Sequence, residues 1–231
     1  MGWVSRRWLL TGLAWSAGGL GGTALCMAAP RHTGGERGTA ELAVIVHDMA
    51  EVPPQTLSRA KQDVDRIFSR ARVRIAWLLC PEAAAADGSR PCPPRPAGGI
   101  MLRIVPTDLD YIGGSALGYT VPGPEAFYAT VSLPRVRHCV AHQSISAASL
   151  GDVLGHAMAH EIAHILLGTN SHSAAGLMQP DWNARALDDA SKGRLNLLRS
   201  QEARVRDAIT RRVRGEAAGI LLSGTRRQKL R

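Results

Sequence analysis

The sequence predicts an α/β (α+β) domain with a mixed sheet, one buried helix that carries polar groups, and a C-terminal helix. Three observations lead to this prediction. Strand, helix and strand patterns follow one another between residues 42 and 77, an order that implies a right-handed parallel crossover. Further strand-like runs continue to residue 133. The sequence His-Glu-Ile-Ala-His at residues 160–164 then lies in an apolar run of helical type.

The first half of the domain contains the strand patterns. Residues 42–47 form a short apolar run rich in β-branched side chains, which predicts a buried strand. From Thr56 to Phe68 apolar residues recur at helical spacing, and alternation at residues 73–77 predicts a second strand. Residues 99–105 predict a third strand, and residues 116–121 and 127–133 predict two more around a Pro/Gly turn.

The second half contains the predicted helices. The buried helix should begin near residues 146–149, where Ser149 and Asp152 form a plausible capping pair. It should end at Leu167, because Gly168 stands where a helix stops and the chain turns back. Apolar periodicity predicts a C-terminal helix at residues 200–212.

The buried helix carries the pattern of a metal-dependent hydrolase. His160 and His164 are one helical turn apart, so their imidazoles project from the same face and can share one metal ion. Glu161 lies one step round the helix, where a carboxylate can take a proton from a water that the metal makes acidic. His172 follows on a loop as a third ligand. The sequence therefore predicts a Zn²⁺ site with Glu161 as the general base.

Two other residues compete for the third ligand position. His156 shares the helix face but stands roughly 12 Å along the axis from His164, so it is expected to be a neighbour or a core histidine. Asp181 lies downstream, where some zinc peptidases use an aspartate. His172 is the favoured third ligand, with Asp181 kept as the alternative.

These residues resemble the metzincin metallopeptidases, most nearly the matrixin type. That family has the pattern H-E-x-x-H-x-x-G-x-x-H followed by a turn with a methionine beneath the zinc. Residues 160–172 match it in kind and order, with one extra residue before Gly168 and another before His172. Residues 176–180 resemble the methionine turn, with Met178 as its methionine.

The resemblance implies a fold, an activity and a substrate. It implies a metzincin-like mixed sheet, zinc-dependent hydrolysis of peptide or protein substrates, and residues 116–120 as an edge strand along the cleft. Met178 would form the floor beneath the metal without binding it. The alternatives are a zinc-dependent hydrolase of a non-peptide amide or ester, and a non-catalytic zinc-holding module, against which Glu161 argues.

The N-terminus predicts export. Residues 1–29 read as a signal, or as an uncleaved N-terminal anchor, and the arginines at residues 6–7 resemble a twin-arginine signal. The protein is then expected in the bacterial periplasm or outside the cell, or at the membrane if the anchor remains. Residues 30–38 form a linker, residues 39–213 the catalytic domain, and residues 214–231 a basic tail.

Three cysteines remain after the signal. In an exported protein Cys80 and Cys92 are expected to form a disulfide across a surface loop, which leaves Cys139 as a free or competing thiol. His138 and His142 flank Cys139 and suggest either a second metal site or ordinary loop histidines.

The formal net charge of +9 invites a nucleic-acid function. The basic residues are mostly arginines scattered along the chain, aromatic residues are few, and no nucleic-acid motif is present. We expect no nucleic-acid partner, and the protein is expected to be a monomer. Its positive surface suits anionic lipids or acidic polymers, or is simply solvated.

Overall fold

In the computed structural model a mixed sheet and the helices beside it form the domain. The predicted signal and linker at residues 1–38 and the residues between Cys80 and Cys92 lie outside the described residues. The structure describes residues 39–80, 92–109, 113–123, 126–142 and 148–228, with side chains described as far as residue 215 in the last helix.

Five strands form one sheet in the described part of the chain. Its order is β2-β1-β3-β5-β4, with β4 antiparallel to β5 and the other pairs parallel. Every predicted strand is therefore present, and the parallel pairing of β1 with β2 agrees with the predicted crossover. The strands are β1 (Ala40–Asp48), β2 (Val73–Leu79), β3 (Ile100–Val105), β4 (Gly118–Thr120) and β5 (Tyr128–Ser132).

The helices include two that the sequence analysis did not predict, α2 and α4. The C-terminal helix also continues well beyond its predicted end at Arg212, since no proline follows Pro180 to interrupt it. The helices are α1 (Pro54–Arg70), α2 (Leu133–His142), α3 (Leu150–Leu167), α4 (Ala184–Ser191) and α5 (Arg199–Gln228).

Helix α3 lies at the centre of the domain. It contacts α1, α2, α4 and α5 as well as β3, β4 and β5, and nearly all of its residues are buried. Glycine permits the close approach to α1, because a Cβ on Gly155 would lie 2.6 Å from the carbonyl oxygen of Ala60. A larger residue there would push the two helices apart.

The ends of α3 are fixed as the sequence predicts. Ser149 and Asp152 form a reciprocal capping box at its N-terminus. Gly168 follows its last residue in the left-handed conformation (φ 66°), and its N–H donates to the carbonyl of His164. The helix therefore presents its polar residues in a fixed register.

Two further features concern the cysteines and the hydropathy of the helices. The Cα atoms of Cys80 and Cys92 lie 4.6 Å apart, within the range that a disulfide spans. None of the helices in the described part of the chain combines the length and hydropathy that crossing a bilayer requires.

Candidate metal centre

Two histidines of α3 meet at the surface of a cavity. The Nε2 atoms of His160 and His164 lie 3.0 Å apart, as expected for residues one turn apart on one helix face. Their rings meet edge to face, with centroids 4.6 Å apart. The helix therefore points both ring nitrogens at one position.

Backbone carbonyls determine which nitrogens carry the protons. His160 Nδ1 lies 2.9 Å from the carbonyl oxygen of Leu177, and His164 Nδ1 lies 2.8 Å from that of Thr169. Because a carbonyl oxygen can only accept a hydrogen bond, each Nδ1 must be the donor. The two Nε2 atoms then point their lone pairs at each other, and the lone pairs repel. A cation bound between them would remove this repulsion.

His172 completes a group of three. One ligand atom from each of His160, His164 and His172 lies within 4.8 Å of the others, and His172 is the exposed member. A tetrahedral zinc ion with bonds of about 2.0–2.1 Å separates its ligands by roughly 3.3 Å. Three imidazoles are a set of ligands that suits zinc, and two of these three also donate a hydrogen bond from their other ring nitrogen, as zinc-bound histidines do.

The two competing ligands are engaged elsewhere. His156 is fully buried, donates from Nδ1 to the carbonyl of Asp152 at 2.7 Å, and its Nε2 lies 3.3 Å from Arg66 Nη2. His156 is therefore a core histidine, as expected. Asp181 is not in the three-histidine group and accepts a hydrogen bond from the Ser115 hydroxyl.

Both of these α3 histidines are neutral at pH 7. Burial lowers the pKa of His160 to about 4, with a further contribution from the charge of His164. Burial also lowers the pKa of His164. Since a metal binds the neutral imidazole, the cavity holds both rings in the binding form before any ion arrives.

Glu161 is buried beside the histidines. Its Oε2 atom has no hydrogen-bond partner among the described residues, and burial raises the pKa of this carboxyl group to about 8. A nearby cation would favour its ionised form. A carboxylate without a structural partner is available to a water or a substrate.

The edge strand lies directly against this carboxylate. A Cβ on Gly118 would lie 2.4 Å from the carbonyl oxygen of Thr130 and 3.2 Å from Glu161 Oε1. Only glycine fits at this position in β4. The sequence analysis did not single out Gly118, because a glycine in a short strand gives no sign of what lies across it.

The turn after His172 supports the first ligand. Gly176 has φ of +78°, and its Cβ would lie 2.8 Å from the carbonyl oxygen of Asn196. The same carbonyl accepts from the N–H of Leu177 at 2.8 Å, and Leu177 in turn binds His160. Met178 follows and is fully buried. The segment that resembles a methionine turn therefore holds His160 by its backbone.

Arg66 of α1 connects this turn to the core. Its Nη1 donates to the carbonyl of Gly193 at 2.7 Å and to Asn196 Oδ1 at 3.0 Å, and its Nη2 donates to Asp63 Oδ1 at 3.0 Å. Arg66 also faces His156. A continuous set of hydrogen bonds therefore leads from α1 through Asn196 to the turn that binds His160.

The cavity around these groups has a volume of about 600 Å³. Its walls include β4 and the exposed histidines of α2, and Trp182 packs edge-on against His160 with centroids 5.9 Å apart. Helix α2 was missed, although Leu133, Val136 and Val140 recur at helical spacing.

Comparisons with known proteins give a structural likeness only. No protein-family model matches the sequence, and no curated protein matches it significantly. Among solved structures, a zinc-dependent peptidase from Methanocorpusculum labreanum shares 15% identity with a TM-score of 0.46, over 70% of this chain and 99% of that one. Archaemetzincin from Methanopyrus kandleri shares 14% identity with a TM-score of 0.45, over 77% of this chain and 99% of that one. Function is argued from the residues of the site.

Proposed function

We propose that the protein is a zinc-dependent peptidase that hydrolyses internal peptide bonds of peptide or protein substrates. The observation that carries this proposal is the convergence of three histidine ligands with a buried, unpartnered carboxylate in one cavity. A purely structural zinc site needs four protein ligands and no carboxylate beside them. Three ligands and an available base are the composition of a catalytic site.

Two of the three proposed ligands are oriented by a backbone carbonyl. His160, His164 and His172 would hold the zinc, which when bound acidifies a water and polarises the carbonyl of the substrate. The carbonyls of Leu177 and Thr169 keep the two helical imidazoles in the tautomer that binds metal. His172 comes from an exposed loop.

Glu161 would move the proton. Its carboxylate takes a proton from the water that attacks the peptide carbonyl, and returns it to the amine nitrogen as the carbon–nitrogen bond breaks. Glu161 lines the cavity, and the absence of a side chain on Gly118 leaves room for its Oε1 atom.

The substrate would bind along β4. This strand pairs with β5 on one side, and it is the last strand in the sheet that the structure describes. Its outer N–H and C=O groups can bind an extended peptide as an added strand. Because Gly118 touches Glu161, a peptide paired with β4 would pass beside the proposed base.

The N-terminal residues, the cysteines and the oligomeric state complete the proposal. We propose that residues 1–29 direct export or anchor the chain, that Cys80 and Cys92 form a disulfide, and that the enzyme acts as a monomer. The apposition of the two cysteines supports the second point. An oxidising compartment is where such a bond persists.

Hydrolysis of casein by the zinc-loaded protein tests the proposal. Glu161→Gln should reduce the rate at least a hundredfold while its zinc content is unchanged, because the amide cannot accept the proton. Asp181→Asn is the matched control, since it removes a nearby carboxylate that is bound to Ser115. Zinc-loaded protein that cleaves amides or esters but no peptide would favour the non-peptide hydrolase instead. Full activity of Glu161→Gln would show that this glutamate is not the general base.

A further inference from the structure

A second pair of histidines lies on the wall of the cavity. His138 and His142 occupy consecutive turns of α2, and their ring centroids are 4.0 Å apart. Both line the cavity that contains His160, Glu161 and His164. The sequence alone did not decide whether they form a metal site, because no helix that would bring the two rings together was predicted.

The spacing of this pair along the helix is the spacing of a two-histidine chelate. A separation of four residues places two imidazoles on one helix face, as it does for His160 and His164. Both rings of the pair are exposed, so a dissolved cation can reach them. No hydrogen bond or ion pair to either ring is found in the part of the chain that the structure describes. Their nitrogens are therefore available to a metal.

The described residues around this pair add charge, but none of them forms a three-ligand group with it. The Arg135 hydrogen bond lowers the pKa of the Asp108 carboxyl group, and the charge of nearby His138 adds to this effect. Cys139 follows His138 on the same helix and is partly buried. Waters would have to fill the other positions on a bound ion.

We propose that His138 and His142 form a second, weaker zinc site, whose occupation inhibits the enzyme. Two imidazoles bind zinc less tightly than three, so this site fills only after the three-histidine centre. An ion held on the cavity wall occupies space that a peptide needs and adds positive charge opposite the first centre. The inhibitory part rests on the proposed peptidase function, whereas the binding part does not.

Calorimetric titration of zinc into protein that already holds its tightly bound zinc tests the binding part. The unaltered chain should take up one further zinc, and the double variant His138→Gln/His142→Gln should take up none. His47→Gln is the matched control, because His47 lies in β1 and does not line the cavity. Its uptake should equal that of the unaltered chain. No uptake by the unaltered chain, or equal uptake by the double variant, would overturn the proposal.

Casein hydrolysis at increasing zinc concentration tests the inhibitory part. The rate should fall at least tenfold for the unaltered chain and for His47→Gln, and stay constant for the double variant. An identical fall in all three would assign inhibition to another site. If no protein hydrolyses casein at any zinc concentration, the peptidase function fails, while the titration still decides whether the second site exists.

Discussion

Replacing Gly118 by alanine should disable the enzyme without removing its metal. The new Cβ would lie 2.4 Å from the carbonyl oxygen of Thr130, and 3.0 Å from Glu161 Cγ. Thr130 lies within β5 and pairs with both β3 and β4, so its backbone cannot yield without breaking the sheet. Either β4 or the Glu161 side chain has to move.

The size of the displacement gives the size of the effect. Cβ atoms in proteins essentially never lie closer than 3.0 Å to such an atom. The new Cβ and the carbonyl oxygen of Thr130 must therefore move apart by about 0.6 Å. A misplacement of 1 Å can reduce catalysis about a hundredfold, so we expect kcat/KM to fall about tenfold to a hundredfold. Overpacking of this kind also lowers the free energy of unfolding by about 1–3 kcal/mol.

Steady-state hydrolysis of a fluorogenic peptide, with zinc content measured on the same samples, checks this prediction. Gly113→Ala is the control, because no atom of another described residue lies within 4 Å of its Cβ position, and it should keep full activity. Full activity of Gly118→Ala would refute the placement of β4 against Glu161. A loss of activity that merely follows a loss of zinc would refute the reason given for it.

Three further predictions concern the supports of the centre. Arg66→Lys should speed the release of zinc to a chelator about tenfold. A lysine cannot make all the hydrogen bonds by which Arg66 holds the turn after His172. An unchanged rate of release would contradict this prediction. Gly168→Ala should lower the free energy of unfolding in urea by about 1 kcal/mol, because φ at this position is 66° and alanine disfavours that conformation. An unchanged free energy would mean that the backbone at the end of α3 adopts another conformation in the variant. Asp152→Asn should lower the free energy of unfolding by about 1 kcal/mol at pH 7 and less near pH 3. Burial acts to raise the pKa of Asp152, but hydrogen bonds from Ser149 and Arg59 hold that pKa below its usual value. Its stabilisation is therefore complete above the ordinary carboxyl pKa and is lost as the pH falls through the lowered value. Urea unfolding at the two pH values measures this, and an equal difference at both would contradict it.

The parts of the fold that local residues determine could be predicted from the sequence. Ser149, Asp152 and Gly168 mark the ends of α3 by their own hydrogen bonds and backbone preferences, and the structure has both ends where they were predicted. Strand β1 was predictable because its buried residues form a continuous apolar run, and β2 because its first residues alternate between buried and exposed. Residue 133 shows the limit, since Leu133 continues an apolar strand run but begins α2 in the structure.

The parts of the site that depend on distant residues could not be predicted. Arg66 and Asn196 are 130 residues apart, and neither residue type signals the hydrogen bond that joins them. Gly118 and Glu161 meet only because β4 lies over α3. The three histidines were predictable since a short motif contains them all, whereas the hydrogen bonds that orient them come from the tertiary fold.

Zinc content tests the central claim most directly. After dialysis against metal-free buffer, we expect about one zinc per chain in the unaltered protein and in Asp181→Ala, and none in His160→Ala or His172→Ala. Circular dichroism of each variant would establish that it is folded. If folded His172→Ala keeps its zinc while Asp181→Ala loses it, the three-histidine centre is wrong. If the unaltered protein holds no zinc after zinc-replete expression, the metal-dependent mechanism is wrong as well.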